Sequence, residues 1–282
     1  MTGRAPRQRT RYALVPLFGG VELLAADFTA QRFSRHFHEG YAIGRITRGA
    51  LRFRYLGRDI EAGPGEVNLV MPGETHDGHG ADEAGWSYRM LYLRPEALAE
   101  ASKALSSRPF LPEFPMGVIA DPALAAQVLT VQAALEDPAA SLLEKETRLV
   151  ALLADWISRH SCKRLPWPRI APDPGPAARA RDHIRENAAN EVRLDDLARA
   201  ANMSPFHLAR LFTRQYGLPP HAYLTQRRLE LARDMLLASP DGPGLAETAQ
   251  ATGFSDQSHM TRLFRRRFGV TPGQLRKIVQ NS

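Results

Sequence analysis

Cysteine is almost absent: Cys162 is the only one in 282 residues. A single thiol makes no internal disulfide, which points to a reducing compartment and a cytoplasmic protein. Long apolar runs are missing too, since none approaches the roughly 18 residues of a membrane span. Met1–Tyr12 holds four arginines and no acid. It leads into no apolar stretch with a small-residue cleavage site, so it does not read as a secretory signal. What is there is ordinary folded composition, 44% hydrophobic and 24% charged. At roughly 100–200 residues per domain the length favours two domains.

The net charge of +7 is unevenly spread. Met1–Tyr12 contributes +4, Ala13–Pro176 −3 and Ala177–Ser282 +6. A basic C-terminal domain suggests a polyanion such as nucleic acid, although composition alone does not separate that from a solvated surface.

Up to about Leu93 the chain reads as β. Tyr41–Thr47, Leu51–Leu56, Ile60–Ala62, Val67–Met71 and Trp86–Leu93 are short apolar or alternating runs separated by Gly/Pro turns. That spacing suggests a small sandwich or barrel. Pro95–Ser106, Pro122–Leu135 and Ser141–His160 then show helical period. In the last of these, Leu142, Leu149, Leu153 and Trp156 fall near heptad spacing. Such a stripe serves either packing on the chain's own domain or a seam with a second copy. Ser161–Pro176 holds five prolines and reads as an extended linker.

The last hundred residues contain a degenerate repeat. Leu194-Asp-Asp-Leu-Ala-Arg-Ala-Ala-Asn-Met-Ser204 returns as Leu245-Ala-Glu-Thr-Ala-Gln-Ala-Thr-Gly-Phe-Ser255, and Arg210-Leu211-Phe212 returns as Arg262-Leu263-Phe264. Each copy has helix-turn-helix anatomy. In the first, Asn202 suits a left-handed helix end, Ser204 is the expected cap, Pro205 the first helical residue and Gly217 the stop. Leu208, Leu211 and Phe212 form the stripe expected to be buried, and Phe206, Ala209, Arg210 and Thr213 project the other way. In the second copy, Gly253 is the expected turn and Ser255 the cap. Ser258, Thr261, Arg262 and Arg265 are outward there, flanked by Arg266 and Arg267. A helix over Pro219–Ala238 would span close to 30 Å, near one ~34 Å turn of B-DNA. It would hold two such helices in successive major grooves.

The stretch Ala249-x3-Gly253-Phe254-Ser255-Asp256-Gln257-Ser258-His259-Met260-x2-Leu263-Phe264-Arg265-x2-Phe268-Gly269-Val270-Thr271-Pro272 resembles the signature of AraC-type transcription regulators. The resemblance implies base contacts from Phe206, Ala209 and Arg210 in the first unit and from Ser258, His259 and Arg262 in the second. Arg214, Arg266, Arg227 and Arg228 would join them at the DNA. Arg210 and Arg262 suit bidentate donation to guanine, whereas Ala209 offers only apolar contact.

The run His36-Phe37-His38 with Pro72-Gly73-x2-His76 resembles a cupin barrel. Its enzymatic members hold a metal with such histidines. The glutamate expected past His38 is missing and Glu39 should face away, which weighs against a metal at His36, His38 and His76. They are read instead as structural or ligand-contacting, and no cofactor is expected. Gly65-Glu66-x5-Pro72-Gly73-Glu74-x-His76 and Trp86-x-Tyr88-x-Met90-Leu91-Tyr92-Leu93-x-Pro95 resemble the AraC-type sensor more closely. That implies a pocket of Arg48, His76, Tyr88 and Met90, with His36, His38 and Tyr41 as neighbours, for a small polar effector.

The expected fold is α+β. A basic arm (1–12) precedes a cupin-like barrel with flanking helices (13–160). The linker (161–176) leads to an all-α DNA-binding domain (177–282) with helix-turn-helix units at 194–217 and 245–269. The expected function is effector-controlled, sequence-specific binding of double-stranded DNA by a homodimeric, non-enzymatic regulator, either activator or repressor, with RNA polymerase a further candidate partner and no membrane. Two rivals stand beside it: a metal-dependent cupin enzyme carrying a DNA-binding domain, and a non-specific architectural DNA binder.

Overall fold

The computed structural model describes residues 9–106, 110–162, 175–238, 242–268 and 270–280. Most of the linker, residues 163–174, lies outside the described residues, as do the first eight residues of the arm. Contacts divide the chain into two units. One is residues 1–136 with 148–168, the other residues 137–147 with 169–282.

The first unit is built on two antiparallel sheets. The six-stranded one runs β1 (Arg9–Val15), β2 (Val21–Phe28), β9 (Trp86–Leu93), β4 (Tyr41–Arg48), β7 (Val67–Val70) and β10 (Val118–Ile119). The four-stranded one runs β3 (Arg32–His36), β8 (His76–Gly80), β5 (Leu51–Tyr55) and β6 (Arg58–Ala62). Residues 9–12, expected in a terminal arm, pair along β2 instead, with Arg9 opposite Asp27 and Tyr12 opposite Leu24. Arg11 is ion-paired with Glu136.

Alternate residues of each strand point to one face. In β9 the inward set is Trp86, Tyr88 and Met90, which meets Ala42 and Ile46 of β4 and Leu51, Phe53 and Tyr55 of β5 in one buried cluster. Gly44 is required there: a Cβ would strike Met90 Sδ and the Arg89 carbonyl. The helices α1 (Pro95–Leu105) and α2 (Pro122–Glu136) follow the sheets, and α2 packs on β9 and β4.

The helix α3 (Leu142–His160) answers the question of its stripe. Leu149, Leu153 and Trp156 are fully buried, and the Trp156 ring stacks on Phe114 at 4.4 Å with Tyr41 edge-on at 6.1 Å. The apolar face is consumed inside the chain and leaves no two-chain seam of those residues. A seam was an equal alternative because periodicity reports an apolar face without saying what covers it.

The second unit contains α4 (Gly175–Glu186), α5 (Leu194–Ala201), α6 (Pro205–Tyr216), α7 (Pro220–Ala238), α8 (Leu245–Ala251), α9 (Gln257–Phe268) and α10 (Pro272–Gln280). The helix α6 packs against α4, α5 and α7, and α9 packs against α7, α8 and α10. Residues 137–147 group here by contact, and the buried Glu146 accepts the Leu194 N–H at the start of α5 at 2.6 Å. None of the described helices is long and apolar enough to cross a membrane.

Candidate functional site

Within the first unit a cavity of about 160 Å³ opens between the sheets, lined by His36, His38, His76, Tyr88 and Met90 among others. Five of the seven expected pocket residues therefore come together. The β3 strand ends at His36 and places its ring beside His76 of β8, its cross-strand partner, with centroids 4.3 Å apart. His38 follows the strand end and sits 4.9 Å from each.

Two backbone carbonyls orient two of these rings. His36 Nδ1 lies 2.8 Å from the Ser34 carbonyl, and His76 Nδ1 lies 3.2 Å from that of Glu74. A carbonyl only accepts, so Nδ1 carries the proton in each neutral ring. Burial pushes the His38 pKa down to about 4, helped by the neighbouring His76 and His36, and burial lowers that of His76 as well. Both are neutral at pH 7. Burial also raises the Tyr88 phenol and takes Tyr92 up to about 12, so both remain donors.

Two expected residues are elsewhere. Tyr41 is on the opposite face of β4, where its hydroxyl donates to the Pro112 carbonyl at 2.7 Å. Its neighbour Ala42 lines the cavity instead. Arg48, at the exposed end of β4, donates to the Ala84 carbonyl at 2.9 Å and to Ser87 Oγ at 3.3 Å. It does not line the cavity.

Two of the lining residues outside the expected set, Tyr92 and Asn68, bear on its chemistry. Tyr92 has the same strand parity as Tyr88 and Met90, a signal that was available. Asn68 is a polar residue inside the run Val67–Met71. It is 5% exposed, and its Oδ1 has no hydrogen-bond partner among the described residues. His38 and Tyr92 also line an adjoining open cleft of about 920 Å³, so they form the wall between cleft and cavity.

In the second unit, both helix-turn-helix copies form, with different surfaces. The Ser204 hydroxyl caps α6 by accepting the His207 N–H at 3.3 Å, Asn202 is left-handed at φ 53° and Gly217 at φ 70°. Phe206 and Ala209, expected outward, are buried at 2% and 6% exposure. Arg210 is half-buried and Arg214 exposed. The cap of α9 is Asp256 rather than Ser255, its carboxylate accepting the His259 N–H at 2.7 Å. The helix starts one residue later than expected. Met260 and Phe264 are buried, while Ser258, Arg262, Arg265 and Arg266 are exposed and His259 half-buried.

The two arginines of α7 part company. Arg227 is half-buried and reaches Glu230 at 3.4 Å. Arg228, expected at a phosphate, is turned inward: Nε donates to the Ala188 carbonyl and a terminal nitrogen to that of Asn190, both at 2.8 Å. Burial lowers its pKa to about 10, which still leaves it charged. Gly253 (φ 83°) lies against the same place, where a Cβ would sit 2.9 Å from both Arg228 Nε and the Ala188 carbonyl.

Residues 18–153 match the family model of the AraC-like ligand binding domain, and residues 197–278 match that of a helix-turn-helix domain. The chain is 30% identical over 231 residues to the HTH-type transcriptional regulator YbfI of Bacillus subtilis, covering 82% of each chain. It is 27% identical over 249 residues to the transcriptional activator RhrA of Rhizobium meliloti, covering 85% of this chain and 74% of the relative. Among solved structures, the DNA-binding domain of AdpA in complex with a target DNA is similar at 25% identity and a TM-score of 0.35, over 38% of this chain and 94% of that one.

Proposed function

The chain belongs to the AraC-type helix-turn-helix transcription regulators, which bind DNA and here carry an N-terminal ligand-binding domain, and from that premise we propose that a small polar effector in the barrel cavity controls its binding to a specific DNA sequence. The observation that carries the DNA half is the surface of α9. One face buries Met260 and Phe264, and the other offers Ser258, Arg262, Arg265 and Arg266 to solvent. A capped helix with that exposed face suits a major groove, with Arg262 at a guanine and Arg266 at the backbone. Arg210, Arg214 and Arg227 are proposed to extend the contact from the first unit and α7.

The cavity supports the effector half. Neutral His38 and His76, two protonated phenols and the Asn68 oxygen, unpartnered among the described residues, are suited to orienting a small ligand with both donors and acceptors. The ligand is bound rather than transformed. It controls DNA binding by favouring one of two arrangements of the chain, which requires unequal affinity for them. A homodimer would have to use a surface other than the buried stripe of α3.

Selection of bound duplexes from a random pool by the full chain, repeated with each compound of a metabolite panel, tests both halves. The expected result is one enriched sequence whose affinity changes with one compound, the same compound that raises the thermal midpoint. Enrichment of no sequence at physiological salt would sink the regulator in favour of an architectural binder. Turnover of the bound compound would favour the enzyme.

A further inference from the structure

The walls of the barrel cavity discriminate between classes of effector by charge. Arg48 is the residue that would anchor a carboxylate or phosphate, and its guanidinium is spent outside the cavity on the Ala84 carbonyl and Ser87. Among the described residues, no other arginine and no lysine lines the cavity. Burial leaves His38 and His76 neutral at pH 7. An anion placed here would give up its water without gaining a fixed positive charge, which is costly.

What the walls offer instead is acceptors. Asn68 is 5% exposed, and its Oδ1 lines the cavity without a hydrogen-bond partner among the described residues. The Glu74 carbonyl holds the Nδ1 proton of His76, so Nε2 keeps its lone pair. Asp77 is the one carboxylate of the lining, with Oδ1 accepting the Arg54 N–H at 2.8 Å. Beyond the wall of His38 and Tyr92, the open cleft carries Glu22, Glu39 and Glu96 against one guanidinium, that of Arg94. A cleft lined mainly by one sign of charge concentrates ligands of the other.

We propose that the effector is a small organic cation, a protonated primary amine on an apolar body of one ring and a short chain, and not a carboxylate, a phosphate or a sugar. The inference rests on the reading that the cavity holds the effector, and it names the class. An ammonium has three donors and no acceptor, the complement of a wall rich in acceptors. Asp77 supplies the countercharge that offsets the cost of burying it, and Asn68 Oδ1 and His76 Nε2 accept from the remaining N–H groups. Tyr88 and Tyr92 add aromatic rings, whose faces attract a cation. Phe33, Phe53 and Met90 line the same cavity and enclose the apolar body. At about 160 Å³ the cavity is smaller than the ~300–1,000 Å³ of a drug-sized site, which limits that body to one ring.

The test uses the full chain at neutral pH and compounds alike in shape and different in charge: 2-phenylethylamine, 2-phenylethanol and phenylacetate. Binding is followed by calorimetry and by the rise in thermal midpoint. The amine is expected to bind about tenfold or more tightly than the alcohol, because its hydrogen bonds are charge-assisted, and the acid is expected not to bind. Asp77→Asn keeps an acceptor for the Arg54 N–H. It should bring the amine down to the affinity of the alcohol and leave the alcohol itself unchanged. Should that variant fold poorly, the ranking of the compounds on the unaltered chain decides the matter without it. Tighter binding of the alcohol or the acid, no uptake of the amine, or an amine affinity untouched by Asp77→Asn would overturn the proposal. Uptake of an acid or a sugar from the metabolite panel would remove only the amine and leave the effector reading standing, whereas uptake of no compound at all would remove both.

Discussion

The two helix-turn-helix copies are alike in sequence and unlike in exposure. In the first, Phe206 and Ala209 occupy the face that the helical wheel turns outward, and both are buried. In the second, the matching Ser258 is exposed and the matching Thr261 half-buried, with Arg262 exposed beside them. Each recognition helix has three principal helical neighbours, but the first copy packs on α4 where the second packs on α10. A duplicated module therefore does not mean a duplicated reading surface. The second copy leaves its side chains open to solvent, and the first invests part of its turn in holding the unit together.

The sharpest way to break that contrast is Phe206→Ala. As a core residue it should cost about 3–5 kcal/mol of stability in urea unfolding and leave the preferred bases at the second-copy half-site unchanged. Unchanged stability with lost base preference would restore Phe206 as a reading residue. Arg228→Ala comes next. Leaving two carbonyls unpartnered and a buried stem missing should cost about 2–4 kcal/mol. A phosphate contact would instead reduce the slope of log K against log salt by about 1 with stability retained. Third, Arg262→Ala should lose about 1–3 kcal/mol, mainly at one base position, when binding is measured across single-base variants of the selected site. Arg210→Ala should lose less, because its guanidinium is half-buried. A larger loss at Arg210 would reverse the assignment of the copies.

The smallest effect concerns the caps. Accepting the His259 N–H holds the Asp256 carboxyl below the usual carboxylate range; desolvation opposes this, and the Ser255 hydroxyl adds to it. A folded pKa below the unfolded one gives stability that is present above the unfolded value of about 3.9 and lost as pH falls through the folded value. The start of α9 should thus fray only in acid below about pH 4, seen as faster amide exchange at Ser258 and His259. The Ser204 cap of α6 does not titrate and should show no such step.

Much of this anatomy is legible in residues whose role is local. Asn202, Ser204, Pro205, Gly217 and Gly253 mark turns and caps because the backbone itself demands them. Strand parity likewise brings Tyr88 and Met90 into one cavity. What fails is anything decided by distant chain. Tyr41 and Ala42 are both apolar-compatible because β4 is covered on both faces, so no alternation says which one lines the cavity. A helical wheel similarly separates two sides of α6 but does not reveal that α4 and α7 cover part of the second. Arg228 is the clearest case: in sequence it is indistinguishable from Arg227, and only the carbonyls of Ala188 and Asn190 give it a different task.

That inward arginine has a consequence for the operator. Arg228 of the connecting helix grips the segment before α5, and the Gly253 turn before α9 rests on the same spot. The two copies thereby meet at a common point, through one side chain and one turn. One extra base pair between the two half-sites displaces them by ~3.4 Å and rotates them by about 34–36°. If both copies read one site, as proposed, a reader joined in this way is expected to discriminate half-site spacing as well as bases.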